Sequence, residues 1–278
     1  MADAWAERTL ANLPVDDSPD SRRVVELLQS LLNRTTSPQE TAESLASLYD
    51  PHIKSGRTNT AALWSIYCTA ISDIEHDESS FSLLIETLLS LARLPDVVDN
   101  NGQPFKENGN LFWRELPEFP FWLSQGPASP VSVRDMRNNP QRLTRSMRAA
   151  KFGALYLREL DRQPIEHTPR GPRDGMRDVG LNTIVGALRW EVESESDVEQ
   201  ARLAVPQAAT WIVTAGRSLF QAAKERFSIG PDCTLDMDMW NLWKGRYAAL
   251  AGFEGADAEL RRVAGEAADE MQRIEREA

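Results

Sequence analysis

The feature that most constrains this chain is a pair of apolar stripes between Ala61 and Leu91. In ALWSIYCTAISDI, residues Leu63, Tyr67, Ala70, Ile71 and Ile74 recur at three- and four-residue steps. In SFSLLIETLLSLARL, Phe81, Leu84, Ile85, Leu88 and Leu91 do the same. That spacing stacks the side chains on one side of a helix, and so predicts two amphipathic helices hinged near Glu75 to Asp77. The aromatic-proline run NLFWRELPEFPFWL follows, and Trp64, Trp113 and Trp122 supply bulk for other helices to pack on.

The same grammar runs through the rest of the chain. Trp5 and Leu10 mark a short N-terminal helix. Ser18-Pro19-Asp20 starts a second, with Ser18 at the N-cap and Pro19 pre-set at the first helical position; its buried face is Val24, Val25, Leu28, Leu31 and Leu32. Ser37-Pro38-Gln39-Glu40 predicts a capping box, ahead of Leu45, Leu48 and Tyr49 and a stop at Asp50-Pro51. Asn139-Pro140 opens a helix with the stripe Leu143, Met147, Ala150, Ala154 and Leu157. Further helices are predicted from about Asp178 (Ile184, Val185, Leu188), from Pro206, from Thr234 or Asp236, and after an Asp257 cap. The last buries Leu260, Val263, Ala267, Met271 and Ile274. Two stretches read as loops: 94–110, rich in Asn, Gly and Pro, and 163–178, a flexible basic segment with three prolines.

No alternating β-branched run occurs, so no sheet is expected. The reading is all-α, a single compact multi-helix domain of about nine or ten helices. Residues 1–60 are expected to pack as N-terminal helices on a main body spanning 61–278. No repeat period is visible.

A chain of 278 residues can hide about 75% of its unfolded surface, so it needs no staples. Its two cysteines, Cys68 and Cys233, do not form a disulfide framework, which points to a reducing, cytoplasmic setting. The N-terminal MADAWAERTLANLPVDD places acids where a signal peptide needs a basic and then an apolar region. No apolar run approaches the roughly 20 residues of a membrane span. A net charge of −11 argues against a general nucleic-acid binder. The charge is uneven, however: from Arg134 to Arg177 there are eleven basic residues against five acidic ones, leaving −17 on the remainder.

The order LWSIYCTA, LFWRELPEFPFWL, VPQAATWIVTAG, MWNLWKGRYAALA and AADEMQRIE resembles a fungal family, domain of unknown function 3632. The resemblance runs from about Ala61 to the end. It implies a filamentous-fungal source and an all-helical fold, and it carries no reaction or catalytic residues.

No stretch spells out a reaction. Glycine-rich phosphate loops, zinc-protease histidine pairs and serine elbows are all missing, so no metal or cofactor is expected. Asp73, His76 and Asp77 have metal-ligand types at helical spacing, but Asp77 reads better as the cap of the next helix. His167 and His52 lie in segments that read as loop and turn, too loosely set for acid–base work. Arg142, Arg145, Arg148 and Lys151 are candidates for an anion site, for a nucleotide or RNA, against an ordinary charged helix face. Trp211, Trp240 and Trp243, with Arg217 and Lys244, are the candidates for an aromatic-walled small-molecule pocket; the ordinary alternative is plain core. A protein-interaction module using the acidic surface and the loop 94–110 is the other reading.

Overall fold

The structure is a computed structural model that describes the chain apart from residues 1, 14–18, 56–59, 75–77, 100, 108, 130, 164–169, 190, 191, 193, 231 and 232. Asp73 belongs to the described residues, but His76 and Asp77 lie outside them, as do Ser18, His167 and the hinge at 75–77. The described residues divide into two compact units: 1–127 with 163–175, and 128–162 with 176–278.

The first unit begins with α1 (Ala2–Asn12), α2 (Pro19–Leu32), α3 (Pro38–Lys54), α4 (Ala61–Asp73) and α5 (Glu78–Arg93). The capping box forms at α3: the Ser37 hydroxyl accepts from the Glu40 amide, and the Glu40 carboxylate accepts from the Ser37 amide at 2.8 Å. The stripes pack inward as their spacing requires, with Val24, Leu28, Leu45, Leu63, Leu84 and Leu88 wholly buried. The Tyr67 hydroxyl donates to the Leu84 carbonyl at 2.6 Å, joining α4 to α5.

Three expectations about this unit need correction. Helix α3 does not stop at Asp50-Pro51 but continues through Pro51 to Lys54. Asp50 instead accepts the Trp113 indole N–H at 2.8 Å, which ties α3 to α6 (Phe112–Glu115). The segment 94–110 contains strand: β1 (Lys106–Glu107) pairs antiparallel with β2 (Asn110–Leu111). Before it, one oxygen of Asp99 accepts from the Asn101 and Gln103 amides at 2.8 and 2.9 Å, an Asx-type turn. These bonds hold the Asp99 carboxyl below its ordinary range. The unit closes with α7 (Phe119–Gln125) and the first turns of α10 (Arg170–Ala187). Leu116, between α6 and α7, is buried with φ 41°, a left-handed conformation that costs a non-glycine residue roughly 1–2 kcal/mol. Helix α10 starts well before the expected Asp178. Gly175 explains how: a Cβ there would lie 2.5 Å from the Pro120 ring, so glycine serves close packing rather than looseness.

The second unit is built around α11 (Glu195–Lys224), which packs on α9 (Arg142–Arg162) and α13 (Ala258–Glu277), with α12 (Met237–Ala251) laid on α13. Helix α11 begins at a Ser194–Asp197 capping box rather than at Pro206, which sits inside it. The second strand pair, β3 (Phe227–Gly230) with β4 (Cys233–Leu235), is another small hairpin that the reading without sheet missed. Short α8 (Val133–Asn138) precedes α9. Among the described residues there are thus thirteen helices, more than expected. Three of them, α6, α7 and α8, span 4, 7 and 6 residues, too short to display a period.

Asp257 caps α13: it accepts from the Leu260 amide at 2.8 Å and from Arg202 at 2.5 Å, and these bonds depress its carboxyl below the ordinary 3.8. A depressed carboxyl contributes stability that is whole above about pH 4 and is lost as pH falls through the folded-state value. Thermal midpoints measured from pH 6 downward should therefore fall below about pH 4. Asp257→Asn, which keeps an acceptor but does not titrate, should show a shallower decline. Equal slopes for both proteins would contradict this role.

Candidate functional site

Helix α12 has two apolar sides, and the site follows from that. One side carries Trp240, Trp243 and Tyr247, all buried against the helices of the second unit. The Trp240 ring lies 5.0 Å from Phe220, and its indole N–H donates to Glu275 of α13 at 2.9 Å. The Lys244 ammonium donates to both oxygens of the same carboxylate at 2.6 Å. On the other side, Asn241, Leu242, Gly245 and Ala249 face outward. A helix apolar on both sides leaves one of them without a partner helix.

That second side forms the wall of an open groove of about 470 Å³. Small residues create it. Gly245 and Ala249 stand four apart on α12, and Ala187 ends α10 opposite, so three positions contribute almost no side-chain volume. Leu188, Val205 and Leu250 make a buried apolar floor, and Phe253 closes one end. Leu242 stands at the rim with 47% of its surface exposed. A volume of several hundred Å³ in a mostly apolar lining is the usual form of a small-molecule site.

The groove has two polar side chains among the described residues, Asn241 and Arg246. One guanidinium Nη of Arg246 donates to the Leu188 carbonyl just past the end of α10, the usual place for a cation at a helix C-terminus. The Nε of Arg246 is buried and has no hydrogen-bond partner among the described residues. Among the described residues no carboxylate lines the groove. The arrangement can bind and orient, but it offers no nucleophile beside a base.

The sequence-derived candidates fall elsewhere in the second unit. Trp240 and Lys244 meet on Glu275; Arg217 is exposed and pairs with Glu277. Trp211 is fully buried against Gly180 of α10, where a Cβ would come within 2.7 Å of the ring. Of the basic set on α9, Arg142 bonds the Ser129 hydroxyl and Lys151 the Thr214 hydroxyl, while Arg145 and Arg148 are half-buried. None of these residues lines the groove. The residues that do were legible only as a pattern: Leu242, Gly245 and Ala249 at three- and four-residue steps, on the side away from the tryptophans.

Cys68 is buried, and burial pushes its thiol far above the ordinary value, so it supplies no thiolate. Among the described residues no cluster of three or more metal-ligand side chains occurs, and no helix is long and apolar enough to cross a membrane.

Fold and groove together describe a helical protein with an open apolar cleft beside a tryptophan-rich core. The model of the family described as a protein of unknown function, DUF3632, matches residues 64–247. That match covers more than half of the chain, and the protein belongs to this family. Comparison with curated proteins and with solved structures returns no match.

Proposed function

We propose that this protein binds a small, largely apolar molecule in the groove beside α12, as an enzyme or accessory protein of specialised metabolism. The observation that carries the reading is the 470 Å³ groove itself, floored by Leu188, Val205 and Leu250 and left open by Gly245 and Ala249. Water held against such a floor is released when an apolar ligand enters, at roughly 25 cal/mol per Å² of apolar surface covered. In this account Trp240 and Trp243, buried on the opposite side of α12, hold the wall of the cleft in place, and Trp211 belongs to the core packed on α10. Arg217 and Lys244, through Glu277 and Glu275, hold α13 in place behind them.

Gly245 allows a direct test, because a Cβ built there meets nothing within 4 Å. Gly245→Leu starts from a Cβ in open space and narrows the groove, and replacing a helix-interior glycine should not lower stability. The neutral fluorophore N-phenyl-1-naphthylamine is expected to bind the wild-type protein and to bind the variant at least tenfold more weakly, with the thermal midpoint unchanged or raised. Equal binding by both proteins would remove the groove as the site.

A further inference from the structure

We infer that the ligand of this groove carries a single carboxylate, held by Arg246, on an otherwise apolar body. The inference rests on the groove reading above and adds the chemistry of the ligand's head. Several cations of the second unit meet carboxylates. Arg202 pairs with Asp257, Arg217 with Glu277, Lys244 with Glu275, and Arg273 with Glu270 and Glu277. In a chain of net charge −11 a carboxylate is easily found. Arg246 has no ion-pair partner among the described residues, and none of the described side chains that line the groove is acidic. A guanidinium set in an apolar wall with no counter-charge is unfavourable unless something supplies one.

The geometry narrows what that something is. The Leu188 carbonyl takes one Nη of Arg246, which fixes the plane of the guanidinium. Capping α10 uses that nitrogen alone. The buried Nε has no acceptor among the described residues, and it shares one edge of the guanidinium with the second Nη. Two parallel N–H groups on one edge match the two oxygens of a carboxylate. A phosphate has more oxygens to satisfy, and the groove's remaining polar side chain, Asn241, is a neutral amide. The rest of the lining is aliphatic apart from Phe253, which suits a hydrocarbon or ring body.

Decanoate and 1-decanol share a chain and differ in the head, so each can be set to displace N-phenyl-1-naphthylamine from the wild-type protein at pH 7. Decanoate is expected to displace the probe at least tenfold more effectively, since a charge-assisted pair is roughly twice as strong as a neutral hydrogen bond. Arg246→Gln is expected to erase that advantage, so that decanoate and decanol displace the probe equally. Should the variant fail to fold, the wild-type comparison decides alone. Equal displacement by the two compounds would overturn the carboxylate inference and leave the groove standing. Displacement by neither would overturn it too. If Gly245→Leu then also left probe binding intact, the groove reading would go with it.

Discussion

Trp240→Ala is expected to destabilise the protein by about 3–5 kcal/mol, the range for removing a large buried aromatic side chain. Three losses coincide at this position. The ring is fully buried against Phe220, so truncation leaves a cavity in the packing between α11, α12 and α13. The indole N–H is one of the donors on Glu275, so its removal takes a hydrogen bond from a carboxylate that then depends on Lys244. The substitution also removes the residue that holds the tryptophan side of α12 inward, against which the groove is open. Trp240→Phe separates these effects. It keeps most of the volume and loses the N–H, at a cost of about 1–2 kcal/mol. Urea unfolding monitored by far-ultraviolet circular dichroism reads both. Domains are commonly stable by only about 5–15 kcal/mol, so the alanine variant should sit near its limit at room temperature. A loss below about 1 kcal/mol for Trp240→Ala would mean that the core is not packed as described.

Gly180→Val carries the second large effect. A Cβ at this position would lie 2.7, 3.0 and 3.1 Å from three carbons of the Trp211 ring, which is itself fully buried. Replacing a helix-interior glycine ordinarily gains up to about 1 kcal/mol. Here the ring has nowhere to go, and overpacking of about 1–3 kcal/mol, increased by the branched side chain, outweighs that gain. Gly186 on the same helix is the control: a Cβ there meets nothing within 4 Å. Gly186→Ala should raise the thermal midpoint slightly while Gly180→Val lowers it by several degrees. Equal effects at the two glycines would show that α10 does not approach Trp211 closely.

Helices were readable where they were long enough to repeat a pattern. The stripes of α4 and α5, the Ser37 box and the Asp257 cap all stand where their residues predicted, because each depends on neighbours three or four positions away. What escaped depends on distant residues. Gly175 was read as loop because the ring of Pro120 that it packs on is far away in sequence. The strands of residues 106–111 and 227–235 are two to four residues long, too short for alternation to show. Pro51 and Pro206 read locally as helix boundaries, yet α3 continues past the first and α11 runs through the second.

The groove was hidden for a related reason. Tryptophans attract attention as possible ligand walls, but in α12 they supply the side that packs inward, and the Trp240 indole N–H is taken by Glu275. A hollow needs absent volume, and absent volume in sequence is a pair of small residues, Gly245 and Ala249, that reads like any helix surface. Whether such a surface becomes a cleft depends on where the end of α10 lies, which no local pattern specifies.

Methyl-detected nuclear magnetic resonance during titration with decanoate tests the central claim most directly. Methyl signals of Leu188, Val205, Leu242 and Leu250 should shift together and saturate, while those of Leu84 and Leu88 in the first unit stay in place. Shifts confined to the first unit, or no saturable shift around α12, would contradict the account.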